Sequence, residues 1–239
     1  MGGEIEAIDR DAVDNLIGWW LEAGVDVAVG ERPRDWLRRN QETPPVASPV
    51  TNPVTNVAEP NPETLAELRE WLASSVQLPL ASATARRILP HGPGDASIML
   101  LSDAPALEDL ASGQPIGGDA WQLALKMLAA IGIGADEAYS ASLSCIHSPG
   151  ARMSDKDRAE CAEIARRHIA LAKPKRLILF GDGPSRALLG EPLTRARGRV
   201  HRIEGVRAVA TFHPRWLLQR PPDKALAWRD LLLLMSEND

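Results

Sequence analysis

Two side chains in this sequence have the types and settings for bond-breaking chemistry. They are Asp103, in Ser102-Asp103-Ala104-Pro105-Ala106, and His213, in Thr211-Phe212-His213-Pro214-Arg215. A carboxylate can orient a water molecule or stabilise a developing cation, and an imidazole N–H can stabilise a departing anion. Each lies just beyond a short apolar run, residues 97–101 for the first and 207–211 for the second. Pro214 biases the backbone of His213 toward an extended conformation, which helps fix its aim. Small-residue segments accompany them: Gly113-Gln114-Pro115-Ile116-Gly117-Gly118, residues 142–150, and Gly181-Asp182-Gly183-Pro184-Ser185.

The elements that must position these groups follow from hydrophobic periodicity. Residues 97–101, 139–144, 175–180 and 207–211 read as short strands, and 119–131, 155–172, 184–189 and 223–235 as helices. Such alternation implies right-handed crossovers and a parallel sheet covered on both faces. The expected fold is a three-layer α/β/α domain with a four-stranded parallel central sheet and a helical N-terminal extension. Ligands of such sheets bind at the carboxyl ends of the strands, which places Asp103 and His213 on one rim.

Upstream, residues 1–40 read as helical, with Ala12, Leu16, Ile17, Trp20 and Leu21 on one stripe that Trp19 and Trp36 enlarge. Residues 41–62 turn to Pro, Thr, Val and Asn and read as a linker. Helix resumes near Asn61-Pro62-Glu63, a cap, a first-turn proline and a first-turn acid, with Leu65, Leu68, Trp71 and Leu72 facing inward. The expected division is therefore 1–40, 41–62 and 63–239.

A net charge of −5 conceals an asymmetry: residues 1–139 carry −12 and residues 140–235 carry +9. A basic half can attract a phosphate backbone whatever the global charge, because fields are screened beyond ~8 Å at physiological salt. Solvated helix faces are the alternative. Two cysteines, Cys145 and Cys161, are too few for a disulfide scaffold or a four-thiolate metal site. No apolar run approaches the ~20 residues of a membrane span. The acidic start Met-Gly-Gly-Glu-Ile-Glu is unlike an export signal, so a cytoplasmic monomer is expected.

Taken in order, the segments resemble the uracil-DNA glycosylase superfamily, closest to its bacterial iron–sulfur type, family four. That family has Gly-Glu-Ala-Pro-Gly after its first strand, then Gly-x-Pro-Phe-Val-Gly. It has Tyr-Ile-Thr-Asn before an Arg-Pro-Pro-Gly loop, a Pro-Lys strand ending at Gly, and His-Pro-Ser followed by two leucines. The counterparts here are Ala104-Pro105, Gly113-Gln114-Pro115, Tyr139, Pro149-Gly150, Pro174-Lys175 to Gly181, and His213-Pro214 with Leu217-Leu218. Residues 20–26, Trp-Leu-Glu-Ala-Gly-Val-Asp, look like the leader of alphaproteobacterial members.

The resemblance implies roles and exposes departures. Asp103 stands where the family has Glu, one methylene longer, and otherwise caps its loop. His213 matches the histidine that donates to the leaving base. Ala104, Pro105 and Ala106 would line the base, with Ala106 in place of a glycine that allows closer approach. Ser142 falls at the Asn that reads the uracil edge, or Ala141 does if the following cysteine is the anchor, and neither supplies an amide. Otherwise Ser142 merely ends a strand. Ile116 replaces the Phe on which a flipped base stacks, an interaction worth roughly 1–3 kcal/mol. Arg197, Arg199, Arg215 and Arg220 are the candidate phosphate contacts; Arg215, which takes the place of Ser after His-Pro at the pocket mouth, could pair with a phosphate or simply fill the cavity. The family's cluster needs four thiolates, and residues 77–87 contain none, so no metal and no cofactor are expected.

Three functional classes compete. One is a base-excision repair glycosylase with weakened or altered specificity, acting on single- or double-stranded DNA. Another is a glycosylase fold without catalysis that binds DNA or a protein partner. A nucleotide-binding doubly wound protein ranks last, since no Gly-rich phosphate loop of the usual pattern is present.

Overall fold

A computed structural model describes residues 62–82, 85–147 and 153–236, all within one unit spanning 57–239. The expected N-terminal helices, and the linker before residue 62, lie outside the described residues.

The first described helix is α1 (Leu65–Ser74). Thr64 starts it with a capping box: its hydroxyl accepts the Glu67 N–H, and the Glu67 carboxylate accepts the Thr64 N–H. The start therefore falls three residues beyond the expected Asn61 cap, while Leu68 and Leu72 are buried as the spacing requires. Next come β1 (Arg86–Arg87), β2 (Ile98–Ser102), α2 (Leu107–Ser112), α3 (Gly118–Ala130), β3 (Ala138–Ser142) and β4 (Ile146–His147). They are followed by α4 (Asp155–Ala172), β5 (Arg176–Phe180), α5 (Asp182–Leu189) and α6 (Leu193–Ala196). The chain closes with β6 (Val200–Ile203), β7 (Val206–Thr211), α7 (Pro214–Gln219) and α8 (Lys224–Met235).

The central sheet runs β3-β2-β5-β7-β6. Its first four strands are parallel, as the sequence implies, but a fifth, β6, joins antiparallel at the edge. Glu204 and Gly205, both at positive φ (50° and 78°), form the two-residue turn that folds β6 back onto β7. β1 and β4 form a separate antiparallel ribbon.

Alternate residues of each strand face opposite layers. Met99, Leu101, Leu177, Leu179, Ala208 and Ala210 pack with Cys161, Ala165 and Ile169 of α4, Leu188 of α5 and Ala196 of α6. Ile98, Leu100, Ile178, Phe180 and Val209 pack with Ala120 and Leu128 of α3 and with Leu231 and Leu234 of α8. On the first face Tyr139 carries a polar tie: its hydroxyl bonds His168 Nε2 at 2.7 Å and accepts from Arg69 Nε at 3.2 Å. This joins α1, β3 and α4. Burial pushes the His168 pKa down to about 3, so that ring is neutral.

The end of β7 is fixed to α8 by Asp230, which is 0% exposed. Its carboxylate accepts from Thr211 Oγ1 (2.8 Å), Gly198 N (3.0 Å) and Arg197 Nη2 (3.1 and 3.2 Å). Removing one partner of a buried ion pair costs about 3–5 kcal/mol, because the other charge stays desolvated. Asp230→Ala is thus expected to lower the free energy of unfolding by about that amount, read from the urea midpoint. A loss below about 1 kcal/mol would show that this tie does not secure the rim.

Candidate active site

The carboxyl ends of the parallel strands form one rim, and strand order dictates its chemistry. From one edge inward it carries Ser142 after β3, Asp103 after β2, Gly181 and Asp182 after β5, and His213 after β7. Asp103 and His213 are separated by the single strand β5. Neighbouring strands lie ~4.8 Å apart, so a spacing of roughly 10 Å between the two backbones is expected from strand order.

His213 caps α7, with Pro214 in its first turn. Its Nδ1 accepts the Arg215 backbone N–H at 3.1 Å. The neutral ring therefore carries its proton on Nε2, which makes no hydrogen bond to the described residues and is free to donate. The ring packs edge-on against Phe180, with centroids 5.8 Å apart. Burial, reinforced by the Arg215 charge and opposed by Asp109, pushes its pKa down to about 4. At neutral pH His213 is an uncharged donor.

The Asp103 carboxylate lies over the first turn of α5. A Cβ at Gly183 would stand 2.3 Å from the Asp103 carboxyl carbon, so only glycine admits the carboxylate here. The side chain is open to solvent on one side. The protein crowded around it nevertheless raises its pKa, against the lowering pull of the Ala104 backbone N–H and of Arg158, with Asp182 pushing it further up.

The residues proposed to read or line a base are less uniform. Pro105 is buried, and its carbonyl accepts from His147 Nδ1 at 2.7 Å. Ala104 is exposed, and the half-buried Ala106 donates its N–H to Asp109 Oδ2 at 2.7 Å. The Ser142 hydroxyl pairs with Ser102 Oγ at 3.1 Å, at the base of the rim. Ile116 departs from expectation: it is 0% exposed, in the core with Ile98, Leu100 and Phe180, and presents no face to a base. His147 was not singled out from sequence, because its partner is a backbone carbonyl that no spacing rule reveals.

All four candidate phosphate-contacting arginines are paired with acids, in two different ways. Arg199 with Glu191 and Arg220 with Asp223 are surface pairs, the arginine side chains 54% and 62% exposed. Such pairs contribute less than about 1 kcal/mol. Arg197 and Arg215 are held instead by the buried carboxylates of Asp230 and Asp109. These two are ties within the fold rather than free cations.

A family model for the uracil DNA glycosylase superfamily matches residues 89–232, from just before β2 into α8, including every rim residue above. The chain belongs to the uracil DNA glycosylase superfamily. A relative within it, the type-4 uracil-DNA glycosylase of Archaeoglobus fulgidus, is 24% identical over 137 residues, 53% of this chain and 69% of that protein. The superfamily fold agrees with the three layers found here, and no helix among the described residues is long and apolar enough to cross a membrane.

The iron–sulfur cluster of the family-four type does not fit these residues. The sequence holds two cysteines where four thiolates are required. Both are buried, beside a cavity of about 20 Å³ shared with Leu72, Leu78 and Ile146. That space is on the scale of one water molecule. Burial pushes the Cys145 thiol up to about 11 and the Cys161 thiol up to about 12, so both are protonated at neutral pH.

Proposed function

We propose that this chain hydrolyses the N-glycosidic bond of a deaminated base in DNA, uracil or a related base, with weakened discrimination among them. The observation that carries this reading is the neutral His213 with a free Nε2–H, one strand away from the Asp103 carboxylate on the same rim. A flipped nucleotide would place its base between them. Asp103 orients a water and stabilises the cationic sugar, while His213 donates to the base oxygen where negative charge collects. The C–N bond breaks, the water oxygen bonds to the sugar carbon, and the water proton passes through solvent or Asp103 to the departing base. DNA is held in part by the surface cations Arg199 and Arg220, with Ala104, Pro105 and Ser142 lining the base.

Weak discrimination follows from Ser142, whose hydroxyl cannot make the two-point contact of an amide. Ser142→Asn is expected to raise uracil excision relative to hypoxanthine by roughly tenfold or more, since one hydrogen bond to a base edge is worth ~1–3 kcal/mol. Competition kinetics on a mixed-substrate oligonucleotide check this, and an unchanged ratio would remove Ser142 from the base-reading positions.

A second reading has an observation in its favour. Ile116 is buried, and Arg197 and Arg215 are committed to internal acids, as in a glycosylase fold that has lost catalysis and binds DNA or a protein partner. One assay separates the two. Single- and double-stranded oligonucleotides bearing uracil, hypoxanthine or xanthine are incubated with the protein, and abasic sites are then cleaved with alkali. Cleavage supports the enzyme. Salt-sensitive retention of DNA without cleavage supports the binding protein, and no retention at low salt overturns both.

A further inference from the structure

One buried carboxylate gathers three segments of the rim on the His213 side. Asp109, 1% exposed, accepts the Ala106 N–H on Oδ2 at 2.7 Å, and on Oδ1 it accepts the Gly117 N–H at 2.7 Å and Arg215 Nη2 at 2.8 Å. Arg215 Nε also reaches Glu108 Oε2 at 3.1 Å, and the Arg215 backbone N–H fills His213 Nδ1. The three segments lie after β2, before α3 and after β7. The approach is tight: a Cβ at Gly117 would stand 2.3 Å from Ser112 Oγ and 3.1 Å from the Asp109 Cα.

We infer that Arg215 is a positioning residue, not a phosphate contact: through Asp109 it fixes the loop bearing Asp103 against the helix bearing His213. Two things follow from the geometry. The guanidinium supplies the only side-chain cation bonded to the Asp109 carboxylate among the described residues, so releasing it leaves a desolvated anion that must reorganise the loop. The same residue's main chain holds the imidazole in the tautomer that aims a proton outward, so the spacing of the two reacting groups and the aim of one are set together. A planar two-pronged donor suits this task, because it binds two carboxylates at once where a lysine ammonium would act as a point charge.

The catalytic part of this inference rests on the proposed function; the structural part does not, and the test keeps them apart. Arg215→Met and Arg215→Lys are made in the full chain, labelled with ¹⁵N, and compared with the parent. Four quantities are read: the His213 ring nitrogen shifts, hydrogen exchange at the Ala106 and Gly117 amides, binding of a uracil-containing oligonucleotide against salt, and its excision rate at saturating DNA.

In Arg215→Met the two amides are expected to exchange roughly tenfold faster or more, and His213 Nδ1 to leave its acceptor state for part of the population. The excision rate at saturating DNA should fall roughly a hundredfold, as a misplacement of ~1 Å would cause, with the salt slope unchanged. Arg215→Lys, which keeps the charge, should recover part of the amide protection, and it carries the test should the Met variant not fold. The inference is overturned if both amides and the ring nitrogens are unmoved. It is equally overturned if the salt slope drops by about one while the saturated rate is intact, the signature of a lost phosphate contact. If the parent protein cuts no base, the proposed function fails, and the amides and ring nitrogens alone decide the role of Arg215.

Discussion

His213→Ala is expected to reduce the excision rate roughly a hundred- to a thousandfold, the usual loss when one donor to a developing anion is removed. Binding should change little, because the bond from Nε2 strengthens only as the base departs. The pH profile sharpens the expectation. With its pKa pushed down to about 4, the imidazole is already neutral above pH 6, so the parent rate should not decline between pH 6 and 8. An acid limb should appear as Asp103 takes up a proton, at a pH above the ordinary aspartate range because burial raises its pKa. Were a cationic imidazole required, the rate would instead fall about tenfold per unit as pH rose above 4, which a single-turnover profile would reveal.

The second large effect is expected far from the imidazole. Gly183→Ala places a methyl where the Asp103 carboxylate now lies, 2.3–2.5 Å from its atoms. The carboxylate is the movable end of a short side chain, so it swings away at little cost to the fold. Gly183 is already in the first turn of α5, where alanine is the better helix former. Excision should therefore drop by about a hundredfold, while the free energy of unfolding changes by less than roughly 1 kcal/mol. A variant that folds as well as the parent and cuts as fast would show that the position of Asp103 against α5 is irrelevant to the reaction.

The legible parts of this structure were those written in local patterns. A parallel sheet covered on both faces produces unbroken apolar runs, and Ile98-Met99-Leu100-Leu101, Leu177 to Phe180 and Ala208 to Ala210 are such runs. Once those strands were in place, the positions of Ser142, Asp103 and His213 on a common rim followed from chain order. The edge strand β6 escaped because it is half-exposed and polar, Val200-His201-Arg202-Ile203, and its Glu204-Gly205 turn is an uncommon hairpin pair. The short helix α7 was hidden inside the His-Pro-Arg motif.

Side-chain partnerships across long stretches of chain were illegible. Arg215 meets Asp109 from 106 residues away, so the sequence left it open between a phosphate contact and a cavity filler and did not reveal the internal tie. Arg197 and Asp230, 33 residues apart, misled in the same way. Ile116 was aligned with a stacking aromatic, yet the bond from Gly117 to buried Asp109 draws its loop down against the core.

The central claim is that Asp103 and His213 act on one glycosidic bond, and a double-mutant cycle tests it most directly. Single-turnover excision of uracil from a single-stranded oligonucleotide is measured for the parent, Asp103→Asn, His213→Ala and the pair. Residues that serve one transition state are strongly non-additive, so the double variant should be little slower than the worse single variant. Rate losses that simply multiply in the double variant, or a parent that releases no base from any of the substrates, would contradict the claim.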